Sequence, residues 1–470
     1  MSELDGEGVA AAAGAQVLGR GREGGFERAT IDSRDAGPGD LFFGLPGERA
    51  DGGQFALDAL RAGAWGVLCG TQWGRELVGM RERGAHEFDG WVFGSDRPLG
   101  SLQALAREHR RSLGCAVIGI TGSTGKTSVK DVCRAILPVP THASPENYNT
   151  EIGLPLAVLA APQGTEAMVL EMGMRGPGQI AELCEIAEPD VGVITNVGPV
   201  HVELLGSVEA IAAAKAEIVT GLREGGTAVV PSVAGPLEPH IEAAPGLLRF
   251  GEGGDVYATD VQADRDAIDA VVHAPPGEQR FGFPFGERHN LDNALASIAA
   301  GVALGMPLVA MAERAAGIVF SRLRGELVEL PGDAILINDS YNANPVSMRA
   351  ALDHLASMQV PGRRLAVLGE MRELGPDAAD YHREIGAHAR ERGVEVLVGV
   401  GELAAAYEPR HGADDAVAAA ELLREELGSG DVVLVKGSRA IGLEAVAERL
   451  GIAPSDPEPA PNAKRRSRRG

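Results

Sequence analysis

The stretch Ile118-Gly-Ile-Thr-Gly-Ser-Thr-Gly-Lys-Thr127 decides how this sequence is interpreted. It follows an apolar run at residues 116–120 and precedes a helix-like segment at residues 128–137. A strict phosphate-binding loop has glycine where Ile120 stands, so the pattern departs from the strict form by one residue. Two further glycines and a lysine between a strand and a helix still predict a loop that binds a nucleoside triphosphate.

Each residue type in this loop suits a phosphate group. Gly122 and Gly125 allow backbone N–H groups to turn inward around phosphate oxygens, and the following helix directs its positive N-terminus at the same anion. Lys126 adds a charge toward the outer phosphates, and Thr127 offers a hydroxyl to Mg²⁺. The residues predicted to bind the nucleotide in this loop are Gly122, Ser123, Thr124, Gly125, Lys126, Thr127 and Ser128.

Composition excludes several classes of protein. Hydrophobic residues make up 44% and charged residues 23% of the 470 residues, which is typical of folded globular proteins and not of disordered ones. The net charge of −23 disfavours binding to nucleic acid or to an anionic membrane. No apolar run reaches the roughly 18 residues of a membrane-spanning helix, and the acidic N-terminus lacks a secretory signal, so we expect a cytoplasmic protein.

The cysteines point to the same compartment. Cys69, Cys115, Cys133 and Cys184 include no CxxC pair. This pattern predicts reduced, buried thiols and argues against both a zinc site and a disulfide framework.

The pattern of apolar runs predicts an α/β protein of three domains. Residues 1–112 contain short strands and end in a helix at 99–113. From 113 to 326, apolar runs at 116–120, 167–170 and 191–194 alternate with helices, which is typical of a parallel sheet buried on both faces. The alternation restarts in a smaller Rossmann-like domain at 327–451, with runs at 334–337, 365–368, 394–400 and 432–435 and a helix at 346–358. Residues 452–470 are rich in proline and then basic, and are predicted to form a disordered tail.

Further motifs follow the strand-like runs, where parallel sheets bind their ligands. In this order they resemble the Mur ligase family over about residues 30 to 450, and the family's lack of the first loop glycine agrees with Ile120. Besides the loop, the motifs are Asp32-Ser-Arg34, Gly39-Asp-Leu-Phe42, Asn147-Tyr-Asn-Thr-Glu-Ile-Gly-Leu-Pro155, Glu171-Met-Gly173, Thr195-Asn-Val-Gly-Pro-Val-His201, Ala214-Lys-Ala-Glu-Ile218, His289-Asn290 with Asn293, Asp339-Ser-Tyr-Asn-Ala-Asn-Pro345 and Lys436-Gly-Ser-Arg439.

Within the family, the segment from Asp339 to Pro345 resembles the members that add D-alanyl-D-alanine to UDP-N-acetylmuramoyl-tripeptide. The Asp-Asn-Pro-Arg signature of the diaminopimelate-adding relatives is absent. The alternatives are another Mur-type ligase or a folate-polyglutamate-type ligase, which usually lacks a separate uridine-nucleotide domain. A P-loop regulator or nucleic-acid ATPase is a third reading, and the net charge of −23 disfavours it.

The resemblance implies an ATP-dependent ligase of peptidoglycan precursor synthesis. The first domain would bind the UDP-linked substrate, the central domain ATP, and the third domain the incoming dipeptide. A substrate carboxylate would attack the γ-phosphate of ATP, and the amine of D-alanyl-D-alanine would attack the resulting acyl phosphate. The implied partners are these small molecules, without nucleic acid or membrane insertion, and the protein is expected to be a monomer.

The resemblance also assigns residues to roles in catalysis and metal binding. Lys126, His201 and Lys215 would be catalytic, and Thr127, Glu171, His201 and Lys215 would hold Mg²⁺, with two ions expected. In relatives the lysine at position 215 is carbamylated, which needs a neutral amine and hence a lowered pKa. The alternative is an exposed helix lysine that pairs with a nearby acid.

The remaining predicted site residues bind the nucleotide base or the substrates. His289, Asn290 and Asn293 resemble residues near adenine and ribose, although asparagine at a helix start also serves as a cap. Either Arg322 or Arg324 would be the hinge arginine. Asn290, Arg324, Asp339 and Asn342 are the predicted nucleotide contacts outside the loop, and Ser33, Arg34, Asn149, Thr150 and Lys436 are the predicted substrate contacts.

Overall fold

The computed structural model describes residues 4–84, 88–200, 202–242 and 244–450. The architecture is α/β, as the sequence predicts. The chain divides between Ser321 and Arg322 into two compact units. None of the helices in the described part of the chain is both long and apolar enough to cross a membrane.

The N-terminal part of the first unit is a mixed five-stranded sheet with helices. Its elements are α1 (Gly6–Ala13), β1 (Gln16–Gly19), β2 (Arg28–Thr30), β3 (Asp40–Phe43), α2 (Ala56–Arg61), β4 (Gly66–Gly70), α3 (Thr71–Glu82), β5 (Trp91–Ser95) and α4 (Pro98–Leu113). The strand order is β1-β5-β4-β3-β2, with only β1 antiparallel to its neighbour. Trp65, Trp91 and Phe93 pack together at its core.

The second part of the first unit is a six-stranded parallel sheet with an antiparallel three-stranded sheet. Its elements are β6 (Ala116–Thr121), α5 (Lys126–Ile136), β7 (Thr141–Ala143), α6 (Gly153–Leu159), β8 (Ala167–Glu171), α7 (Gln179–Ala187), β9 (Val191–Ile194), α8 (Val202–Leu205), α9 (Val208–Thr220), β10 (Thr227–Pro231), α10 (Glu238–Ile241), β11 (Gly246–Phe250), β12 (Tyr257–Ala263), β13 (Ile268–Ala274), β14 (Gly277–Phe283), α11 (Arg288–Ala303) and α12 (Leu308–Ala315).

The order of the parallel sheet places its ligand edge at β6. The strand order is β11-β10-β9-β6-β8-β7. After β6 the chain forms β7 and β8 on one side of it, and then β9 to β11 on the other side. Such a switch point opens a crevice beyond the carboxyl ends of the two neighbouring strands. One apolar core joins a face of this sheet to the first sheet, and α5, α11 and the antiparallel strands cover the opposite face. The phosphate-binding loop, which follows β6, therefore starts at this crevice.

The second unit is a six-stranded sheet with helices on both faces. Its elements are β15 (Glu326–Leu330), β16 (Ala334–Asn338), α13 (Pro345–Ser357), β17 (Arg364–Gly369), α14 (Ala378–Glu391), β18 (Val396–Val400), β19 (His411–Ala413), α15 (Ala416–Glu426), β20 (Val432–Lys436) and α16 (Glu444–Arg449). The order is β15-β16-β20-β17-β18-β19, and only β15 runs antiparallel. Separate apolar clusters cover its two faces.

The predicted apolar runs of the parallel sheets are strands. This holds for β6, β8 and β9 in the first unit and for β16, β17, β18 and β20 in the second. The helix predicted from residue 128 begins two residues earlier, at Lys126, because Gly125 already supplies the turn. The four cysteines are buried and unpaired, as predicted. The antiparallel strands β12 to β15 were not predicted.

The predicted domain boundaries can be compared with the structure only in part, and the predicted tail cannot be compared with it. The first predicted boundary, at 112/113, falls at the end of α4, and the chain divides into its compact units five residues before the second, at 326/327. The division into 1–112, 113–326 and 327–451 with separate roles stays a prediction. The predicted tail at 452–470 lies outside the described residues.

Helix α4 connects the first sheet to the central one through a buried arginine. Arg110 is 4% exposed. Its guanidinium donates to the backbone carbonyls of Ala187 at 2.9 Å and Glu188 at 2.8 Å, where α7 ends. Carboxylate oxygens of Glu188 and Asp190 lie 3.8 and 3.5 Å away. A cation suits the carbonyl end of a helix, and this one is also compensated by two acids.

We expect Arg110→Met to lower the free energy of unfolding by about 3 kcal/mol, because it leaves buried carbonyls and carboxylates without their partner. The neighbouring Arg111→Met is the control. Arg111 is about half exposed and pairs with Glu188 and Glu108, so its loss should cost at most about 1 kcal/mol. Urea denaturation followed by circular dichroism measures both, and equal losses would contradict the structural role of Arg110.

Candidate active site

The phosphate-binding loop joins β6 to α5 and depends on two glycines. Gly122 has φ of 151° and Gly125 has φ of 81°, both in the region that favours glycine. A Cβ at Gly122 would lie 1.8 Å from Oγ1 of Thr195, and one at Gly125 would lie 2.5 Å from Oδ1 of Asn293. Side chains at either position would therefore displace the loop as well as strain it.

The segment that follows β9 holds the loop in place. The backbone N–H of Ser123 donates to the carbonyl of Asn196 at 3.1 Å, and the N–H of Thr124 donates to the Asn196 side chain at 3.0 Å. The Ser123 hydroxyl both donates to the carbonyl and accepts from the N–H of Gly198. Thr195 donates its hydroxyl to the carbonyl of Thr124. Asn196 thus holds the loop backbone through both its carbonyl and its side chain.

The polar side chains at the start of α5 face the end of β8. The ammonium of Lys126 donates to the carbonyl of Gly122 at 2.7 Å, across the loop. The Thr127 hydroxyl donates to Oε2 of Glu171 at 3.3 Å. Glu171, the last residue of β8, is 3% exposed. The structure thereby brings together three residues that the sequence predicted for the nucleotide and metal site.

The donors around Glu171 fit Mg²⁺. Its Oε1 is buried without a hydrogen-bond partner, and Oε2 lies beside the hydroxyl of Thr127. Carboxylate and hydroxyl oxygens are the hard ligands that Mg²⁺ prefers. Among the described residues, no three His, Cys, Asp or Glu side chains cluster as a metal site. His201, the predicted ligand of a second ion, lies outside the described residues.

Lys215 lies inside the protein on α9 and is 2% exposed. Burial, together with the positive charge of Lys126, holds the pKa of its ammonium well below the usual range. A lowered pKa increases the fraction of neutral amine. The alternative of an exposed helix lysine is therefore wrong for Lys215. Its carbamylation stays a prediction.

The predicted base-binding residues lie at the start of α11, which begins at Arg288. The Asn290 side chain accepts a hydrogen bond from the amide of Asn293 at 3.0 Å and donates to Glu287 at 3.5 Å. Asn293 in turn lies against Gly125 in the loop. The helix start is thus adjacent to the phosphate-binding loop, and roles for His289 and Asn290 toward adenine and ribose stay predictions.

The predicted substrate residues of the first unit lie in two places. Asn149 lies beside the end of β8, because its backbone carbonyl accepts the N–H of Gly173 at 2.8 Å, and Thr150 follows it. Ser33 and Arg34 follow β2 in the other sheet of the unit. The exposed Arg34 pairs with Asp32 and lowers the pKa of that carboxyl to about 2. Their substrate contacts stay predictions.

The second unit has its own polar cluster beyond β16 and β20. The ammonium of Lys436, 3% exposed, donates to Asp339 at 2.6 Å and to the carbonyl of Asn342 at 2.9 Å. Burial lowers the pKa of Lys436, Asp339 raises it and Arg324 lowers it further. The guanidinium of Arg324 lies 3.9 Å from the ring centre of Tyr341. The four predicted residues Arg324, Asp339, Asn342 and Lys436 are therefore neighbours, while their ligands stay predictions.

The structure adds polar residues that the sequence interpretation missed. Ser144 accepts the backbone N–H of Glu171 at 3.0 Å and so helps to orient it. Lys130 and Asp131 are both buried on α5. Helical spacing was the available signal, since positions 130 and 131 follow Thr127 by three and four residues and share its face.

Comparison with known proteins identifies the family. Residues 120–301 match the Mur ligase middle domain, and residues 323–439 match the Mur ligase, glutamate ligase domain. The UDP-N-acetylmuramoyl-tripeptide–D-alanyl-D-alanine ligase of Bacillus subtilis is 35% identical to this chain, over 89% of this chain and 92% of that protein. The chain belongs to the Mur ligase family.

Solved structures of Mur ligases share the whole fold. MurF from Acinetobacter baumannii superimposes with a TM-score of 0.82 at 26% identity, over 94% of this chain and 97% of that one. MurF ligase from Thermotoga maritima, solved in complex with ADP, gives a TM-score of 0.79 at 30% identity, over 90% of this chain and 97% of that one. The similarity thus extends over the full α/β architecture.

We expect Gly125→Ala to weaken ADP binding about tenfold, because a left-handed backbone angle and the contact with Asn293 both oppose a methyl group. Gly164→Ala is the matched control, since Gly164 has φ of 85° and open space around it. Isothermal titration calorimetry measures both affinities. If the two variants bind ADP equally well, the close approach of Asn293 to the loop has no effect on binding.

Proposed function

We propose that this protein is the ATP-dependent ligase that adds D-alanyl-D-alanine to UDP-N-acetylmuramoyl-tripeptide. The relative from Bacillus subtilis has this name, and its similarity to this chain extends over 92% of its length. Two observations carry the proposal: Thr127 of the phosphate-binding loop donates to Glu171, and the charge of Lys126 acts on the buried Lys215. The segment from Asp339 to Pro345 supports the choice of the dipeptide as the incoming amine.

The reaction joins a carboxylate to an amine through an acyl phosphate. A carboxylate oxygen of the tripeptide attacks the γ-phosphorus of ATP, the bond to the bridging oxygen breaks, and ADP leaves. The amine of D-alanyl-D-alanine then attacks the acyl carbon. The tetrahedral intermediate loses a proton and expels phosphate, which leaves the new amide. The site must therefore bind ATP, hold the carboxylate against it and keep water away from the acyl phosphate.

Charge repulsion is the main physical obstacle to the first step. Two like unit charges about 4 Å apart repel by roughly 4 kcal/mol at an effective dielectric constant near 20. The N–H groups at the N-terminus of α5 and the ammonium of Lys126 would place positive charge against the phosphates. When bound at Thr127 and Glu171, Mg²⁺ would neutralise further negative charge on the phosphates.

Lys215 would contribute as a carbamate. Its buried amine has a lowered pKa, which increases the neutral fraction that can react with CO₂. The product is a carboxylate on a long side chain, which is a hard oxygen ligand. Together with His201 it would hold a second Mg²⁺, so the proposed cofactors are ATP and two Mg²⁺ ions.

We expect the protein equilibrated with ¹³C-bicarbonate near pH 7.5 to show one carbamate carbon signal by NMR, because an ordinary lysine is almost fully protonated at that pH. Lys215→Met should remove the signal. Lys436→Met, at another buried lysine that lies in the second unit and pairs with Asp339, should keep it. A spectrum of the native protein without a carbamate carbon would rule out the modification.

We expect the protein to release phosphate from ATP only when UDP-N-acetylmuramoyl-tripeptide and D-alanyl-D-alanine are both present. Lys126→Ala should reduce that rate by at least about 100-fold and leave the circular dichroism spectrum unchanged, because Lys126 stabilises the transferred phosphoryl group. Phosphate assays and mass analysis of the products test this. Hydrolysis that needs neither substrate, or that DNA stimulates, would contradict the proposal, and so would activity of Lys126→Ala within tenfold of the native rate.

The proposed setting is cytoplasmic peptidoglycan precursor synthesis by a monomer. The substrates are soluble nucleotide-linked and dipeptide molecules, which agrees with a net charge of −23 and with a local cluster of lysines at the loop. The N-terminal sheet is proposed to bind the UDP part, through Ser33 and Arg34, and Asn149 and Thr150 the muramoyl or peptide part.

A further inference from the structure

One face of α5 carries a row of polar side chains in the interior of the protein. Thr127, Lys130 and Asp131 are spaced by three and four residues, so they share this face. Lys130 is 4% exposed and Asp131 is 2% exposed. Charged side chains are almost never buried to this extent unless they are paired. The groups that contact Lys130 and Asp131 therefore indicate the role of these two residues.

The ammonium of Lys130 is shared between two carboxylates. It lies 3.3 Å from Oδ1 of Asp131 and 3.6 Å from Oε1 of Glu171. Oε1 is also the Glu171 oxygen without a hydrogen-bond partner, and the other oxygen accepts from Thr127. A single cation thus compensates two buried acids, one of which is the proposed metal ligand.

The second carboxylate oxygen of Asp131 binds the backbone at the C-terminal end of the first unit. Its Oδ2 accepts the backbone N–H of Ser321 at 2.7 Å. Ser321 is the last residue of the first compact unit, and Arg322 is the first residue of the second. Close by, Arg314 donates to the carbonyl of Ala135 at 3.0 Å, so α12 is also attached to α5. The chain leaves the first unit while bound to the helix that follows the phosphate-binding loop.

We propose that Lys130 and Asp131 are a positioning pair that couples the Glu171 carboxylate to the end of the first unit at Ser321. The proposal rests on the proposed function, in which Glu171 meets the magnesium-bound nucleotide. Once the charge of Glu171 is compensated by a divalent cation, Lys130 is left to Asp131 alone. Asp131 then holds the Ser321 N–H in a fixed geometry, so nucleotide binding orders the segment from which the second unit extends.

The chain carries its own reporter for this segment. Trypsin cleaves after arginine, and Arg322 follows Ser321 directly. The rate of cleavage after Arg322, followed by mass spectrometry of the fragments, measures how firmly Ser321 is held. We expect Mg²⁺ with saturating ADP to slow this cleavage about fivefold or more in the native protein, which is the usual size of coupling between sites. ADP with EDTA should have little effect.

Variants distinguish the hydrogen bond between Asp131 and Ser321 from the charge of Asp131 beside Lys130. Asp131→Ala removes the acceptor and should accelerate the cleavage about tenfold even without nucleotide. Asp131→Asn keeps an acceptor oxygen without the charge, so the rate without nucleotide should stay native while the slowing by Mg²⁺ and ADP disappears. Lys130→Met should also abolish the slowing, and Lys130→Arg should restore part of it. Arg134→Met, on the exposed side of the same helix, is the control and should respond like the native protein.

Each result decides between coupling and a purely structural ion pair. ADP affinity is measured for every variant so that all are compared at saturation, and circular dichroism checks the fold. If Asp131→Asn and Lys130→Met are slowed by Mg²⁺ and ADP as strongly as the native protein, the coupling is refuted. If the native protein does not bind ADP with Mg²⁺, the proposed function fails instead, and Asp131→Ala cleaved at the native rate would separately refute the attachment of Ser321.

Discussion

The site depends on a close approach between backbone and side chains that only two glycines permit. Gly122 faces the hydroxyl of Thr195, and Gly125 faces the amide of Asn293. These contacts come from different elements, the end of β9 and the start of α11, so the loop is held from two sides. Because its backbone is fixed in advance, the loop needs little reorganisation to meet a phosphate at the start of α5. Lys126 and Thr127 take their positions from the same loop.

Local charge in this protein opposes its overall charge. The chain carries a net charge of −23, yet lysines 126, 130 and 215 lie close to the loop or to Glu171. Lys130 is buried, so water screens its charge less than it would at the surface. Burial lowers the pKa of Lys215, and the positive charge of Lys126 lowers it further. The same cluster thus supplies positive charge for a polyanionic nucleotide in a chain whose net charge is negative.

Strands and site residues were predicted correctly where a short segment of sequence had a distinctive pattern. Continuous apolar runs identified the buried parallel strands, because strands covered on both faces have no polar positions. Strands β12 to β14 were missed, since β12 and β14 are largely exposed and their polar residues do not form such runs. Resemblance to a family identified Glu171 and Lys215, and it did not point to Lys130 or Asp131, whose importance lies in burial and not in residue type.

The sequence by itself determined the phosphate-binding loop, the parallel strands around it and the family, because these depend on short segments of chain whose glycines, lysine and apolar runs act locally. The tertiary structure decided which distant residues meet. Thr195 and Asn293 contact the loop. Lys215 is buried, and the charge of Lys126 helps to lower its pKa. Asp131 accepts a hydrogen bond from Ser321, 190 residues further along the chain. Such contacts depend on how sheets and helices pack, and packing is a property of the whole unit that no short segment encodes.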